Sequence, residues 1–441
     1  MELTARKIAK HLQDAGHTAY FAGGCVRDHL LGLTPHDFDI ATSALPEEVQ
    51  RLFPRTVPVG AQFGVILVID HGMEFQVATF RSDGAYIDGR HPAAVSFSTA
   101  ESDTERRDFT INGLFYDPAS DSILDFVGGQ EDLKRRLLRA IGNPNDRFEE
   151  DKLRILRAIR FSTTLGFEID PATWEAVCAN SAKIHSVSAE RIQDEVVKLF
   201  LSPHRVRGFD QLDQSGLLRE ILPEVDALKG CEQPPQFHPE GDVFIHTRLM
   251  LSLLPEKVSL PLVLAVLFHD IGKLPTQMRD ATGRIRFNGH EYVSAEMTLK
   301  IMQRLRFSND ITDATIEQVR HHMAFKDVQQ MRTAKLKRFM ARPTFEDEME
   351  LHRVDCSGSH GMLDNYHFLH QKQEEFANEP LVPPPLVTGK DLIQLGMQPG
   401  PAFSSILENV QTAQLEGTLK NREQALEWIR QQFLQGGAQQ Q

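Results

Sequence analysis

The chain has 441 residues, more than one hydrophobic core usually serves, so we expect two to four compact units. Its content of 41% hydrophobic and 25% charged residues is ordinary for a soluble globular protein. The net charge of −13, taken over the whole chain, argues against a nucleic-acid partner, because phosphate binding normally leaves a basic footprint.

The basic residues are nevertheless concentrated locally. The chain between Lys134 and Arg160 is rich in lysine and arginine, whereas acidic residues cluster elsewhere, notably from Glu346 to Glu350. This distribution predicts a basic belt on an acidic protein. A solvated helix face with many arginines would have the same charge pattern, so charge alone does not choose between them.

No segment of the sequence indicates secretion or a membrane span. The N-terminus, MELTARKIAKHL, alternates charged and apolar residues at helical spacing and has no apolar core of the kind found in a signal peptide. The most apolar run, Leu260 to Phe268, contains Pro261 and is far shorter than the roughly 20 residues that cross a bilayer, so we predict a buried helix there. We expect a cytoplasmic protein without membrane contact.

Four cysteines lie far apart without a C-x-x-C pair and are expected to be reduced thiols: Cys25, Cys178, Cys231 and Cys356.

In chain order, the first elements are mixed and the later ones helical. Residues 3–16 are predicted to form a helix, Thr18–Ala22 and Phe38–Ala41 short strands, and Val65–Ile69 and Phe75–Phe80 a hairpin around Asp70-His71-Gly72. After about Thr104, apolar residues recur at spacings of three and four. The predicted fold class is α+β, a small mixed-sheet head followed by a mostly helical neck, body and tail. The predicted domains are residues 1–127, 128–230, 231–385 and 386–441, and residues 436–441 are expected to be disordered.

The first group of chemically informative residues lies in FAGGCVRDHLLGLTPHDFDIAT, residues 21–42. Gly23 and Gly24 follow a predicted strand and precede a helix, so backbone N–H groups there can approach a phosphate. Asp37 and Asp39 are two apart on a predicted strand, which places both carboxylates on one face. Such a pair repels unless a cation joins it, and Mg²⁺ held by one or two carboxylates together with substrate phosphates suits phosphoryl transfer. An isolated D-x-D would more often be a surface turn, but the neighbouring glycines favour the metal site.

These motifs resemble those of a known family. Gly-Gly-x-Val-Arg-Asp followed by Asp-x-Asp is similar to the active-site signature of class II tRNA nucleotidyltransferases and bacterial poly(A) polymerases, in the DNA polymerase beta superfamily. Further segments resemble, in order, its flexible loop at residues 78–95, its sugar-binding motif at 106–114, its base-reading helix at 148–161 and its last head-and-neck motif at 188–200. The resemblance covers about the first half of the chain. It implies a nucleotidyltransferase head with Asp37 and Asp39 as catalytic metal ligands, and these nucleotide-binding residues: Gly23, Gly24, Arg27, Arg107, Asp108, Asn112, Asp151, Arg154, Arg157 and Arg160.

The chemistry of these side chains is consistent with the implied roles. Arg107 can meet a triphosphate, and Asp108 can accept from ribose hydroxyls, although an Arg-Asp ion pair at a helix start would also fit. Asp151 and Arg154, three apart on a helix expected to begin near Glu150, would be neighbours on one face. A carboxylate acceptor beside a guanidinium donor matches cytosine and adenine, not uracil and guanine. Without the family resemblance, an i, i+3 salt bridge would explain the pair better. Arg157, one turn further, is a candidate triphosphate contact.

One position departs from the family pattern. Where the family often has a glutamate before its Val/Ile-Thr-Thr strand, thought to be a third metal ligand, this chain has Gln76. Glu74, two residues earlier on the same strand face, is a candidate substitute.

Histidines and aspartates recur in the second half. His246, His269-Asp270, His290, His321-His322 and Asp355 suit a divalent ion held by imidazole and carboxylate with positions open for water. The set resembles the H…HD…D pattern of the HD phosphohydrolase superfamily. That resemblance implies a second divalent metal on His246, His269, Asp270 and Asp355, with His290, His321 and His322 as candidates for another ion or a phosphate.

The resemblance to the nucleotidyltransferases therefore implies template-independent addition of C and A, from CTP and ATP, to the 3′ end of tRNA, with Mg²⁺ as cofactor. Three other functions remain open: CC-only or A-only addition, a poly(A) polymerase, and an HD phosphohydrolase or phosphodiesterase with an RNA-binding head. The last segment, LVTGKDLIQLGMQPGPAFSSILENV, predicts either a small tRNA-contacting tail or a structural cap. Monomer and dimer are equally open.

Overall fold

The computed structural model describes residues 1–84 and 95–434. By its internal contacts the chain forms two compact units. The first comprises Met1–Ala227, Pro255–Lys257 and Gln303–Phe307, and the second comprises Leu228–Leu254, Val258–Met302 and Ser308–Gln441. Most of the predicted flexible loop, residues 85–94, and the tail expected to be disordered, residues 436–441, lie outside the described residues. The four-part division of the chain stays a prediction.

The first unit contains a seven-stranded mixed sheet in the order β3-β4-β5-β2-β1-β8-β9. Its strands, with the separate pair β6-β7, are β1 Ala19–Ala22, β2 Asp39–Thr42, β3 Thr56–Gly60, β4 Val65–Asp70, β5 Met73–Thr79, β6 Arg81–Asp83, β7 Val95–Phe97, β8 Phe115–Asp117 and β9 Ser122–Leu124. A two-residue parallel pair, β10 Leu137–Leu138 and β11 Glu168–Ile169, follows.

Helices cover the rest of this unit: α1 Glu2–Asp14, α2 Gly24–Leu30, α3 Pro46–Leu52, α4 Ala100–Glu105, α5 Gly129–Arg135, α6 Pro144–Glu150, α7 Leu153–Leu165, α8 Pro171–Asn180, α9 Ala189–Phe200, α10 Arg205–Gln214, α11 Leu217–Ile221 and α12 Pro223–Asp226. Short 3-10 helices span Ala61–Phe63, Thr110–Asn112 and Ser181–Ser186.

The predicted hairpin is confirmed. Strands β4 and β5 pair antiparallel, with Asp70 opposite Met73. The turn residues His71 and Gly72 both have positive φ, 49° and 73°, as a two-residue hairpin requires. The expectation that strands end near Thr104 is wrong, because β8 and β9 extend the same sheet. Each has only three residues, too few for an alternating pattern to stand out in the sequence.

Over its described residues, the second unit is helical apart from one small hairpin. Its elements are α13 Val243–Leu253, α14 Leu260–Phe268, α15 Lys273–Thr276, β12 Met278–Arg279, β13 Ile285–Arg286, α16 His290–Arg304, α17 Asn309–His321, α18 Thr333–Met340, α19 Phe345–Ser357, α20 Asp364–Phe376, α21 Gly389–Gln394, α22 Ala402–Leu415 and α23 Arg422–Ile429. A 3-10 helix spans His322–Gln330 and a π-helical turn Arg430–Leu434.

Helix α14 is the buried helix predicted from the apolar run. Ser259 caps its N-terminus, Pro261 lies in its first turn where no N–H is needed, and every residue from Leu262 to Phe268 is buried. A helix that is apolar on all sides must be packed on all sides. It therefore holds the two residues that follow it, His269 and Asp270, at a fixed place inside the unit.

Helices α21–α23 share an apolar cluster built on Val387, Leu392, Ile406, Val410 and Ile429. A hydrogen bond from Arg338 Nη2 on α18 to Thr412 Oγ1 on α22, at 3.0 Å, ties this cluster to the rest of the unit. Among the described residues, no helix is long and apolar enough to span a bilayer. The expected reduced state of the cysteines is confirmed, since all four are free thiols.

Candidate functional site

The sheet presents Asp37 and Asp39 at the start of its central strand. Strand β2 begins at Asp39, not at Phe38 as expected, so Asp37 lies just before the strand. The two aspartates are exposed, whereas Phe38 and Ile40 between and after them are buried. The chain therefore alternates here as predicted, and both carboxylates remain accessible to a ligand.

Asp39 is electrostatically unusual for an exposed carboxyl. Surrounding protein raises its pKa, the negative charge of Asp37 adds to the effect, and Arg107 opposes both, so that the pKa of Asp39 is raised to about 6. The group keeps an open surface, so solvent moderates the effect. A carboxyl whose pKa is raised by burial and by a neighbouring carboxylate is a suitable place for a divalent cation.

Gly23 brings the backbone close to Arg107. It precedes α2 with φ 73° and ψ −124°, a conformation that favours glycine. A Cβ at this position would lie 3.1 Å from Arg107 Nη1. Arg107 is held there by Nη1, which donates to Asn112 O at 3.3 Å, and by the ring of Phe115, 4.9 Å from its Cζ. The guanidinium of Arg107 thus lies against the glycine turn, and its charge acts on Asp39.

A buried network connects four of the predicted nucleotide-binding residues. Arg27 Nη1 donates to Asn112 Oδ1 at 2.7 Å, and Asn112 Nδ2 donates to Asp108 Oδ1 at 3.0 Å. Arg157 donates to Asp108 Oδ2 from Nε at 2.9 Å and from Nη2 at 2.6 Å. Burial alone would raise the pKa of Asp108, but the charge of Arg157 and the hydrogen bond from Asn112 outweigh it and hold that pKa far below its ordinary value. Asp108 is therefore anionic, as an acceptor of ribose hydroxyls must be.

The expected pairing of Asp151 with Arg154 on one helix is wrong. The segment 148–161 forms two helices, because α6 ends at Glu150 and α7 begins at Leu153. Asp151 lies between them with φ −142°, and its Oδ1 accepts from Leu153 N at 3.1 Å. An Asp side chain that bonds to the backbone two residues ahead starts a new helix rather than continuing the old one.

The two candidate base-reading residues each have another partner. Both oxygens of Asp151 accept from Arg191, at 3.1 and 2.7 Å. Arg154 is buried, and its Nη1 donates to Glu150 Oε2 at 2.8 Å while its Nη2 donates to Arg106 O at 2.7 Å. Neither the i, i+3 ion pair nor a shared helix face is present. Arg191 could have been suspected from SAERIQDE, where it is the one basic residue of the segment.

Glu195 reduces the basic character of the predicted belt. This buried carboxylate accepts from Arg160 Nε at 2.6 Å and lies 3.7 Å from Arg157 Nη1. Arg160 also stacks on Phe161, with Cζ 3.4 Å from the ring centre, and burial lowers its pKa. Arg139 likewise pairs with Asp132. Several arginines of this segment are thus internally neutralised, which reduces the positive charge available to the predicted basic belt.

Gln76 occupies the position beside Asp39. Strands β2 and β5 pair in parallel with Ile40 opposite Val77, so the preceding residues, Asp39 and Gln76, are level across the pair. Glu74 is exposed on the same face of β5 but two residues farther along the strand. The amide of Gln76, an oxygen ligand without charge, is therefore nearer to Asp39 along the register than the Glu74 carboxylate.

The second unit brings the predicted HD residues together. His246 Nε2 lies 3.1 Å from Asp355 Oδ1, and His269 Nε2 lies 3.1 Å from Asp270 Oδ2. The rings of His246 and His269 are 5.7 Å apart. His290 Nε2 lies 3.3 Å from the other oxygen of Asp270. Within the described residues, the groups able to hold a metal ion include His246-His269-Asp270 and Asp270-His290-His322.

The hydrogen bonds of these histidines direct their lone pairs inward. Nδ1 of His269, His290 and His322 each lies 2.7–3.0 Å from a backbone carbonyl, which can only accept, so Nδ1 carries the proton. Nε2 is then unprotonated on each neutral ring, and the Nε2 atoms of His290 and His322 face each other at 3.1 Å. Two facing lone pairs repel unless a cation or proton lies beside them. Nε2 of the buried His246 lies 3.1 Å from a carboxylate oxygen of Asp355, and Nε2 of the buried His269 lies 3.1 Å from one of Asp270. Imidazole nitrogens and carboxylate oxygens therefore converge here, and the set fits a divalent metal.

The sequence interpretation missed three residues of this centre and included one that lies outside it. Glu240 Oε1 is 2.8 Å from His246 Nδ1 and 2.9 Å from His238 Nδ1, and Lys273 Nζ is 2.7 Å from Asp270 Oδ2. His238 and Glu240 lie just before α13, and the H-x-E sequence there was the available signal. His321, by contrast, lies near Glu317 and Glu348 and belongs to none of these metal-binding groups.

A cavity of about 460 Å³ opens beside this centre. It is lined by Asp270, His290, His322 and Asp355, by the cationic side chains Lys273, Arg284, Arg286 and Lys326, and by the rings of Phe237 and Phe287. A cavity that joins metal-ligating groups to several cations suits a phosphate-bearing ligand.

The domains defined by this fold have counterparts among known protein families. Residues 19–139 match the model described as "Poly A polymerase head domain", and residues 166–229 match "Probable RNA and SrmB-binding site of polymerase A". Residues 243–355 match "HD domain", and residues 382–429 match "tRNA nucleotidyltransferase domain 2 putative". The class is thus a nucleotidyltransferase head followed by a helical body with an HD domain.

Similarity to individual proteins identifies the family within this class. The CCA-adding enzyme of Streptococcus gordonii is 33% identical over 425 residues, which cover 96% of this chain and 95% of that protein. The CCA-adding enzyme of Limosilactobacillus fermentum is 45% identical over 198 residues, about half of either protein, and that of Limosilactobacillus reuteri is 42% identical over 62% of its own length. The chain belongs to the family of CCA-adding enzymes.

Solved structures agree on the fold. The CCA-adding enzyme of Bacillus stearothermophilus, in complex with CTP, superposes with a TM-score of 0.76 at 26% identity, covering 98% of both chains. The Thermotoga maritima CCA-adding enzyme bound to tRNA superposes with a TM-score of 0.63 at 19% identity. The expected fold, a nucleotidyltransferase head followed by a helical body and an HD domain, is confirmed.

Proposed function

We propose that this protein adds C and A nucleotides from CTP and ATP to the 3′ end of tRNA and releases pyrophosphate. The observation that carries the proposal is the exposed aspartate pair Asp37 and Asp39 beside Arg107 and the Gly23 turn. The full-length similarity to the Streptococcus gordonii enzyme supports the choice of substrate. A protein with these substrates would act in the cytoplasm, as the sequence predicts.

Different residues of the head would bind the triphosphate, the ribose and the metal ion. Arg107 and the N–H groups after Gly23 meet the triphosphate, and Asp108 accepts from the ribose. Asp37 and Asp39 would hold Mg²⁺, and the raised pKa of Asp39, caused by burial and by the charge of Asp37, supports this assignment. When bound, the ion would activate the 3′ hydroxyl and neutralise charge on the phosphates. The 3′ oxygen forms a bond to the α-phosphorus, and the bond from that phosphorus to the β-phosphate oxygen breaks.

Base choice rests on Asp151 and Arg154. A guanidinium has five N–H donors, so Arg154 can keep its contacts with Glu150 and Arg106 and still donate to an unprotonated ring nitrogen. Asp151 would accept from the exocyclic amine, for which its carboxylate must turn from Arg191 toward the base. Cytosine and adenine offer that combination of amine and ring nitrogen, whereas uracil and guanine do not.

The decisive experiment incubates the protein with tRNA lacking its 3′ end and with CTP, ATP or both, and resolves the products on a gel. Two added nucleotides with CTP alone and three with both would support CCA addition. Addition of only two C or only one A would identify a partial enzyme, and long A tracts would identify a poly(A) polymerase. No extension under any condition would refute the proposal.

The second unit favours an additional function of a different class. The metal-binding groups around Asp270, together with the cationic cavity beside them, support a metal-dependent phosphohydrolase. Hydrolysis of a phosphate ester such as bis(p-nitrophenyl) phosphate with added Mn²⁺ or Ni²⁺ tests it. Activity that is lost in Asp270→Ala but kept in Asp39→Ala would support a separate hydrolase site, and activity lost in neither variant would exclude it.

A further inference from the structure

Asp103 is a buried carboxylate of the head to which no family motif named above assigns a role. It lies on α4 and is 1% exposed. Its Oδ1 accepts from Arg106 Nε at 2.9 Å, from Arg106 Nη2 at 2.7 Å and from the backbone N of Arg81 at 3.3 Å. Its Oδ2 accepts from Arg107 Nε at 3.2 Å and Nη2 at 3.0 Å. Each oxygen thus accepts from the guanidinium of a different arginine.

Arg107 and Arg106 connect Asp103 to the phosphate-binding part and the base-reading part of the candidate nucleotide site. Arg107, held through Nε and Nη2, keeps its remaining nitrogen Nη1 next to Gly23, and its charge reaches Asp39. Arg106 offers its backbone carbonyl to Arg154 Nη2 at 2.7 Å. The carboxylate of Asp103 therefore bonds directly to the candidate phosphate-binding residue, Arg107. It is connected to the candidate base-reading residue, Arg154, through Arg106.

We propose that Asp103 is the positioning residue that fixes Arg107 against the nucleotide phosphates and, through Arg106, fixes Arg154 against the base. The proposal rests on the nucleotidyltransferase function proposed above. Asp103 touches no substrate in this scheme, because its side chain is almost completely buried behind the arginines that it binds. A long arginine side chain loses less binding energy to ordering when its direction is set before the ligand arrives.

The charge of Asp103 suits this role. Burial alone would raise its pKa, but the charges of Arg107 and Arg106 outweigh burial and hold the pKa of Asp103 below its ordinary value. A neutral amide of the same shape could not accept at both ends, since one end would present N–H donors to an arginine. Asp103→Asn therefore tests the carboxylate with little change in volume.

The test compares Asp103→Asn with the unchanged protein in full length. Binding of CTP without tRNA is measured by calorimetry, and kcat and KM for CTP and UTP are measured on tRNA lacking its 3′ end. We expect roughly tenfold weaker CTP binding and a roughly tenfold higher KM, as for the loss of a charge-assisted hydrogen bond, with reduced discrimination against UTP. Reduced discrimination is the readout that a merely structural role would not change.

Asp132→Asn is the matched control. Asp132 is also buried and ion-paired, with Arg139 at 3.2 Å and a hydrogen bond from Thr110 at 2.7 Å, and none of these is a candidate nucleotide contact. We expect it to lower thermal stability without changing KM or nucleotide discrimination. If Asp103→Asn does not fold, Asp103→Glu retains the charge but displaces the carboxylate by one methylene, and the same changes are expected on a smaller scale.

A folded Asp103 variant with unchanged CTP affinity, KM and discrimination would overturn the proposal. An equal loss of discrimination in Asp132→Asn would also overturn it, because the effect would then be general. Failure of the unchanged protein to extend tRNA, while it still binds CTP and loses that binding in Asp103→Asn, would contradict only the proposed function.

Discussion

Arg157 donates both Nε and Nη2 to a single oxygen of Asp108, at 2.9 and 2.6 Å. The bond joins α7 to the segment after α4, 49 residues earlier in the chain. It places the candidate ribose acceptor and a candidate triphosphate contact against each other. In this arrangement Arg157 serves to keep Asp108 ionised and oriented, which differs from the direct phosphate contact expected from the sequence.

This ion pair predicts an acid-sensitive contribution to stability. The pKa of Asp108 is lower in the folded protein than the ordinary value of about 3.9, so the pair stabilises the fold fully above about pH 5, and the stabilisation is lost as pH falls through and below about 4. We expect Asp108→Asn to lower the free energy of unfolding by about 1–3 kcal/mol at pH 7. Urea unfolding at several pH values should show that the difference in free energy of unfolding between Asp108→Asn and the unchanged protein becomes smaller as the pH falls. Asp14→Asn, which removes an exposed ion pair on α1, should leave the free energy of unfolding almost unchanged. A loss of free energy of unfolding in Asp108→Asn that grows in acid would contradict the assignment.

Replacement of the exposed aspartates should remove activity without unfolding the protein. Asp39→Ala and Asp37→Ala are expected to abolish nucleotide incorporation, because each removes a predicted ligand of the divalent cation. Since both side chains are exposed, the melting temperature should change little. Gel analysis of tRNA extension with a parallel thermal melt measures both. Extension at the normal rate by either variant would rule out the metal site.

Arg154→Ala should relax base choice. The variant loses the donor proposed for the ring nitrogen of cytosine and adenine, so incorporation of UTP and GTP relative to CTP and ATP should rise by about tenfold or more. Competition assays with mixed nucleotides measure the ratio. Arg139→Ala removes another paired arginine of the same unit and should leave the ratio unchanged. Unaltered selectivity in Arg154→Ala would mean that another residue reads the base.

Two adjacent histidines provide a matched pair for the second unit. His322→Ala should lower the divalent metal content of the purified protein, because His322 Nε2 lies 3.1 Å from that of His290 and 3.9 Å from Asp270 Oδ1. His321→Ala should retain the full metal content, since His321 lies outside the cluster. Plasma mass spectrometry after dialysis against metal-free buffer measures the content. Equal metal content in all three proteins would exclude His322 as a ligand.

Local patterns in the sequence predicted those elements whose signal is contained in a few adjacent residues. The run from Leu260 to Phe268 became α14 because a helix that is apolar all round has no alternative to burial. The hairpin of β4 and β5 followed from Gly72 between two β-branched runs. The HD residues were found because a metal centre requires a limited set of side-chain types, even when they are far apart in sequence.

Ion pairs between residues that are far apart in the sequence could not be predicted in the same way. Arg191 binds Asp151 across 40 residues, and Glu195 binds Arg160 across 35. Nothing in the spacing of these residues distinguishes such partners from solvent-exposed charges. The break at Asp151 was missed because FEEDKLRILRAIRF has helical periodicity throughout, whereas the actual end of α6 depends on a side-chain bond from Asp151 to the following backbone.

The close approach of Gly23 to Arg107 constrains any attempt to re-engineer this protein. An alanine at position 23 would have to adopt φ 73°, which costs about 1–2 kcal/mol, and would place a methyl group 3.1 Å from the guanidinium. The displaced arginine would then no longer reach the phosphates from the same direction. A library that aims to broaden the accepted substrates should therefore leave codon 23 unchanged and diversify Asp151 and its ion-pair partner Arg191.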